Sequence, residues 1–371
     1  MSTVRPFAED DVAATAALFQ ETFLDPRAAA PAGLAAYIRR LYLGGGEDRA
    51  DLPSLVHVNG SGAITGFIGV DTLAMRHGDR RLRAAIGGSL MVRDHDSDPM
   101  AGARLLKAFL AGPQDISLSE TASEVATRMW VSLRGVALAQ YSLDWVRVFR
   151  PGSFALHAAA RRFAPLRLLA PFGRGADRLV MLAMKGDRAR WAGMRAPRPL
   201  AGGLAMREID VAAFIALVEP LTDQFPLRPE WAPGQLDAIM ADAREKPSYG
   251  DLVLCAVETR SGAPVGAFAY HVRQGRIARV LQILARPGQE GAVIDCLIDD
   301  AFRRGAVALR GRTQPALVEA MLGRRVALAN IGSTVVHSRD PALVAACRAG
   351  ELFFNGLAGE HWNRMIGGSF D

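Results

Sequence analysis

Residues 2–23, STVRPFAEDDVAATAALFQETF, have a counterpart two hundred residues downstream, at 204–225, LAMREIDVAAFIALVEPLTDQF. In the first, the stretch EDDVAATAALFQETF places its apolar residues on one helical face, with Asp11 near its start. The segments after each copy also run in parallel. In the first half, SLVHV and ITGFIGVDTLAM read as strands joined by the turn NGSGA. RRLRAAIGGSLMV is a longer strand, GARLLKAFLAG a helix, DISLS a strand and TASEVATRMWVSL a helix. QYSLDWVRVFRP is expected to close this unit as a final extended segment. In the second half, DLVLCAVE and APVGAFAYHV form the strand pair around TRSG. RIARVLQILA is the next strand, EGAVIDCLIDDAFRRG the next helix and AVALRGRT the next strand. An order of helix, hairpin, long strand, helix, strand that occurs twice points to two copies of one α/β (α+β) unit. The expected division is 1–150, a linker at 151–203, and 204–371.

The bulk numbers agree with such a chain. At 371 residues it exceeds one typical core, and with half its residues hydrophobic and 22% charged it is a folded protein. The polar, acidic opening MSTVRPFAEDD lacks the apolar core of a signal peptide, and no apolar run reaches membrane-spanning length. Cys255, Cys296 and Cys347 are odd in number, far apart and without zinc spacing, which suits a reducing cytoplasm. The net charge of +6 is concentrated: residues 150–200 hold eleven Lys and Arg against two Asp, leaving the remainder of the chain at −3. This basic stretch is expected to be mainly helical. It either turns its arginines to water while its apolar residues pack between the two units, or lays 151–190 against an anionic membrane surface. Nucleic acid is not expected as a partner.

The element order, with the opening VRPFAEDDVAATAALF, resembles the GNAT superfamily of acyl-CoA-dependent N-acyltransferases, more closely over 1–150 than over 204–371. The resemblance implies two mixed-sheet domains in tandem, an acyl-CoA (acetyl-CoA or another) as donor, an amine as acceptor and no metal. It implies that Leu90, Met91 and Val92 hold the pantetheine arm. It also places the pyrophosphate at the helix start formed by Ala101, Gly102, Ala103 and Arg104, where glycines and backbone N–H groups favour an anion. Against the family's Arg/Gln-x-x-Gly-x-Gly/Ala motif only Gly102 matches, with Ser97 and Met100 at the other positions. Asp94, Asp96 and Asp98 stand just upstream, where they would repel a pyrophosphate. They do not make an EF-hand, because Pro99 and Leu105 occupy its Gly and Glu positions. Capping of the helix N-terminus is the simpler role for Asp96 or Asp98. In the second copy, LARPGQEGAV, Arg286 and Gly291 match but Gln289 replaces the first glycine.

The family's helix carrying Asn, Ala and a proton-donating Tyr maps, through Ala126, onto Ser123 and Trp130. An indole cannot protonate a thiolate, so Trp130 is expected in the core. Glu120, after the strand ISLS, and Tyr141 are then the candidate base and acid. Capping beside Thr121 is the competing role for Glu120. His361 beside Trp362 reads as packing, and Glu360–His361 lacks the HExxH spacing of a zinc site. No GxSxG, P-loop or strand-linked GxGxxG is present. The readings are therefore an N-acyltransferase, a non-catalytic binding protein of the same fold, or a peripheral-membrane enzyme acting on a lipid- or glycan-linked amine.

Overall fold

A computed structural model of the chain describes residues 2–44, 51–93, 98–162, 173, 175–177, 179 and 203–370. The alternating stretches of the first half form β1 (Thr3–Pro6), β2 (Leu55–Val58), β3 (Ile64–His77), β4 (Arg80–Val92) and β5 (Ile116–Ala122), neighbours in that order in one sheet. Only β4–β5 is parallel among them. Helices α1 (Val12–Phe23) and α2 (Ala32–Tyr42) turn their apolar stripes toward one face of this sheet. Helices α3 (Ala101–Leu110) and α4 (Glu124–Ser132) cover the other.

The half ends in β6 (Val136–Ala137), β7 (Leu143–Val148) and α5 (Pro151–Arg162). The second half begins with β8 (Leu204–Glu208), α6 (Val211–Thr222), β9 (Leu227–Pro229) and α7 (Gln235–Arg244). It continues with β10 (Asp251–Thr259), β11 (Pro264–Val272), β12 (Ile277–Ala285), α8 (Glu290–Arg303), β13 (Ala308–Arg312), α9 (Pro315–Met321), β14 (Ala327–Asn330), β15 (Ser333–His337) and α10 (Pro341–Ala349). Strands β8, β10, β11, β12 and β13 repeat the first sheet's order and directions, β12–β13 being the parallel pair. Strands β10 and β11 are buried along most of their length, as their nearly unbroken apolar sequence requires of strands covered on both faces.

The expectation that QYSLDWVRVFRP closes the first unit is corrected by the sheet pairing. Strand β7 leaves for the second sheet, where it lies antiparallel between β13 and β14 (Val146↔Arg310, Val146↔Ala327). In exchange β15 enters the first sheet between β5 and β6 (Val336↔Leu118, Val336↔Val136). Strand β9 adds to β3 as well, at Met75–His77. The pattern of LDWVRV specifies a strand but not its neighbour, because backbone hydrogen bonds are the same in either sheet. Neither sheet is thus confined to 1–150 or 204–371.

The two sheets face a shared core. One hydrophobic cluster joins Phe7, Phe19 and Tyr37 of the first half to Phe214, Leu254 and Leu281 of the second, with Phe353, Leu357 and Trp362 of the C-terminal segment between them. Separate clusters lie outside each sheet, under α3–α4 and under α8–α9. The C-terminal segment is fastened by the buried Lys246, whose Nζ donates to the carbonyls of His361 and, at 2.8 Å, Ile366. Burial pulls that ammonium down to a pKa of about 7.

Of the basic stretch, α5 is described and its first turn is capped by Asp177, which accepts from the N–H groups of Gly152 (2.7 Å) and Ser153 (2.9 Å). Residues 163–172, 174, 178 and 180–202 lie outside the described residues, and with them most of the arginines on which the membrane reading rests. Among the described residues no helix is long and apolar enough to cross a membrane, and no group of three or more His, Cys, Asp or Glu is placed to hold a metal.

Because β7 and β15 are exchanged, cutting the chain between the halves should not separate them. With a protease site inserted after Arg190, the two fragments are expected to co-elute in native gel filtration after cleavage and to part only in denaturant. Independent elution under native conditions would contradict the exchange.

Candidate functional site

Strands β4 and β5 pair over three positions only, Ala84↔Ile116, Ala85↔Ser117 and Ile86↔Leu118, and then separate. On its other side β4 is bulged. Phe67 faces Met91 and Gly69 faces Gly88, so Ser89 and Leu90 together oppose the single residue Ile68. Ser89 takes a left-handed φ of 51°, a conformation that costs a non-glycine residue about 1–3 kcal/mol. The end of β4 therefore presents backbone groups outside the ladder on both sides, at the mouth of a gap between parallel strands.

The chain then enters α3. The expected binding residues come together here: Met91, Ala101 and Gly102 are buried, while Leu90, Val92, Ala103 and Arg104 are half-buried. Gly102 packs beneath α4, where an added Cβ would meet Met129 Sδ and Val92 Cγ2 at 3.4 Å. Asp94 and Asp96 lie outside the described residues. Asp98 is ion-paired with Arg104, and its carboxylate lies 3.4 Å from Nε2 of the buried His57. Desolvation opposes the Asp98 charge, but Arg104, His57 and the Met100 N–H outweigh it and lower the pKa. The Asp98 side chain thus pairs with Arg104 and does not cap the helix: α3 begins after Met100 with no side-chain cap, contrary to the capping role expected for Asp98.

The gap is closed from the opposite side by two buried glutamates 240 residues apart. Glu120, on β5, accepts from the N–H groups of Gly356 (3.0 Å), Glu360 (2.6 Å) and His361 (3.1 Å), and lies 2.7 Å from His361 Nδ1. Glu360 returns the contact: its Oε2 accepts from the N–H groups of Glu120 (2.7 Å) and Thr121 (3.0 Å) and from the Ser119 and Thr121 hydroxyls. Its Oε1 lies over Gly88, where a Cβ would be only 2.5 Å away. Glycine is required there for the carboxylate to approach.

The two carboxyls are pushed apart in acidity. Burial alone would raise Glu120, but His361, Arg312 and the Gly356 N–H overcome it and hold the group well below the usual range. Burial and the Glu120 charge together raise Glu360. A cavity of about 10 Å³ remains beside it, walled by Tyr42, Gly69, Gly88 and Trp362 among others. Tyr42 Oη is 3.1 Å from Ser89 Oγ at this point.

Tyr141, the other candidate from the sequence, is fully buried and donates its hydroxyl to the Leu352 carbonyl at 2.7 Å, and burial raises its pKa further. Ser123 caps α4 through Ala126 N, and Trp130 packs edge-on against Phe109 in the outer core. Tyr42 was not singled out by the sequence, and Glu360 was weighed there only beside His361, against zinc spacing. Glu360 gains its significance only from β5, and Tyr42 looks like any aromatic residue ending an amphipathic helix.

No family model matches the sequence, and no curated protein matches it. Solved structures do match the fold. A GCN5-related N-acetyltransferase from Kribbella flavida is 13% identical, with a TM-score of 0.53 over 93% of this chain and 73% of that one. A probable N-acyltransferase of unknown function from Enterococcus faecalis V583 is 7% identical, with a TM-score of 0.58 over 91% and 73%. A GCN5-related N-acetyltransferase from Anabaena variabilis is 8% identical, with a TM-score of 0.57 over 92% and 74%. The chain has the α/β fold of the GCN5-related N-acetyltransferases, and that likeness extends over nine-tenths of its length.

The opposed carboxyls give a test by pH. Glu120, lowered in the folded state, adds stability above the ordinary carboxylate pKa and loses it as pH falls through the folded value. Glu360, raised in the folded state, has the opposite sign: ionising it as pH rises costs stability. Glu120→Gln should therefore be most destabilising near pH 7, with the deficit shrinking toward pH 3. Glu360→Gln should compare better with the parent at pH 7 than at pH 4. Melting temperatures of the three proteins from pH 3 to 8 check this; parallel curves would refute it.

Proposed function

We propose that the protein is an acyl-CoA-dependent N-acyltransferase, built of two GNAT-like repeats at 1–150 and 204–371, with its thioester site at the β4–β5 gap. The observation that carries this reading is the bulged, unpaired end of β4 at Ser89–Leu90, facing the Oε1 of Glu360 across Gly88. Fixed N–H groups at such an edge polarise a thioester carbonyl without reorganising. Pantetheine would lie along Leu90–Val92 and the phosphates at Ala101–Arg104, where Arg104 exchanges Asp98 for the ligand.

In this reading the acceptor amine attacks the carbonyl carbon, the C–S bond breaks, and the amine's surplus proton passes to Glu360. A buried carboxyl of raised pKa is a better base near neutrality than Glu120, which is held ionised by its donors. Tyr42, through Ser89, supplies the proton for the departing thiolate. Glu120 then positions the 356–361 segment, and Tyr141 does the same through Leu352. A space of about 10 Å³ holds no more than a water, so an acyl group enters only when residues 359–363 shift.

One observation favours a second reading, a binding protein without turnover. Both places where an acyl-CoA would put its polar groups are occupied by the chain's own carboxylates, Asp98 at α3 and Glu360 in the gap.

Thermal shift with CoA, acetyl-CoA and a long-chain acyl-CoA, followed by thiol release with a panel of amines, separates the readings. The enzyme reading expects a saturable stabilisation, lost or weakened about tenfold by Gly102→Leu, which would drive a side chain into Met129. It also expects Glu360→Gln to bind acyl-CoA but to lower kcat by a factor of about 100 or more. Acyl-CoA binding with no thiol release for any amine favours the second reading, and no binding at all removes the first.

A further inference from the structure

The second sheet has a gap of its own. Strands β12 and β13 pair at Ile277↔Ala308, Ala278↔Leu309 and Arg279↔Arg310 and then diverge, as β4 and β5 do. Here the described residues of the C-terminal segment, Asn355, His361 and Ile366 among them, line the opening without filling it. Gly356, at φ 60°, lies so close to the Leu281 carbonyl that a Cβ would be 2.2 Å from it, and so roofs the gap without entering it. A cavity of about 180 Å³ is left beneath, larger than the ~150 Å³ engineered cavity that takes up benzene.

Its walls carry Arg279, Arg310 and Arg312 against two carboxylates, Glu120 and Asp144. Both carboxylates are engaged: Glu120 by the three backbone amides and His361, and Asp144 by Arg310 Nε at 3.2 Å with Arg312 Nη1 at 3.7 Å. Arg312 also donates to the carbonyls of Tyr141 and Gly332 and to Thr334 Oγ1. Arg279 stacks on the Tyr249 ring, 4.4 Å from its centroid. His271 is neutral near pH 7, with Nε2 2.7 Å from the Ala243 carbonyl. Arg310 is different. Its only hydrogen bond among the described residues runs through Nε to Asp144, so both terminal nitrogens of this cavity-lining side chain, 20% exposed, have no hydrogen-bond partner among the described residues. The half-buried amide of Gln314 lines the same cavity and makes no side-chain hydrogen bond among the described residues. A guanidinium end with two free donors matches the two oxygens of a carboxylate or phosphate, and Leu281, Leu317 and Ile366 offer an apolar wall beside it.

We infer that the β12–β13 cavity is a binding site for a small organic anion, its carboxylate or phosphate oxygens held by the terminal nitrogens of Arg310 and the amide of Gln314 and its organic part against Leu281, Leu317 and Ile366. The site is distinct from the β4–β5 gap, from which the Glu120–Glu360 pair divides it, and it stands whether or not the chain transfers acyl groups.

Isothermal titration of the full chain at about physiological salt tests it, with benzoate, succinate and phenyl phosphate as anions and with benzamide and benzylamine as neutral and cationic controls. Saturable binding of at least one anion is expected, with none for the controls. The carboxylate and phosphate arms tell which oxyanion the site takes. Arg310→Met and Gln314→Leu should each weaken that binding about tenfold or more. Because Gln314 has no side-chain partner to lose among the described residues, Gln314→Leu should leave the melting temperature unchanged, and it decides the matter if Arg310→Met does not fold. No anion binding at millimolar concentration, benzamide binding equally well, or an unchanged affinity in Gln314→Leu would overturn the inference. No acyl-CoA enters the experiment, so its outcome is separate from that of the acyltransferase reading.

Discussion

Two buried carboxylates, Glu120 and Glu360, each accept the backbone N–H groups of the other's segment. Burying an ionised carboxyl costs several kcal/mol unless its lone pairs are met, so each glutamate is tolerable only with the other strand in place. The constraint reaches beyond the pair. It holds the C-terminal segment between the two sheets and determines what each gap contains. The first receives the Glu360 side chain; the second is roofed by the Gly356 backbone and lined by Asn355 and Ile366, and a cavity persists. The reciprocal contact also explains why the two acids differ. The group surrounded by His361, Arg312 and amides keeps its charge, and its neighbour carries the burden of the repulsion.

Strand exchange makes the halves interdependent in the same way. The first sheet takes β15 from the second half, and the second takes β7 from the first. Between them runs one apolar cluster drawn from both halves. Neither half alone could complete its sheet or cover its inner face, so the two halves are not self-sufficient units.

The pattern of local elements was open to reading because side-chain periodicity is a local property. The helix of residues 12–23 follows a spacing of 3.6, while the hairpins of residues 55–77 and 251–272 and the long strands before α3 and α8 show as apolar runs bounded by turn residues. The acidic loop was less legible: Asp98 pairs with Arg104, six residues on, and does not cap the helix start as its position suggested. So was the candidate site. Leu90–Val92 and Ala101–Arg104 are contiguous in sequence and come together as their order implies. Glu120, Glu360, Tyr42 and Arg310 are not neighbours in the chain, and Tyr141 proved to be bonded to a carbonyl 211 residues away.

What the sequence determined by itself was therefore the α/β class, the repeated order of elements and the place of the strand-to-helix turns. These rest on backbone propensity and on which face of each element is apolar. The tertiary structure alone decided which sheet β7 and β15 join, which gap stays open, and which of the buried acids holds its proton more tightly. Partner choice among strands depends on edges that exist only after the sheets have formed, and the acidity of a buried carboxyl depends on donors brought to it from the far end of the chain.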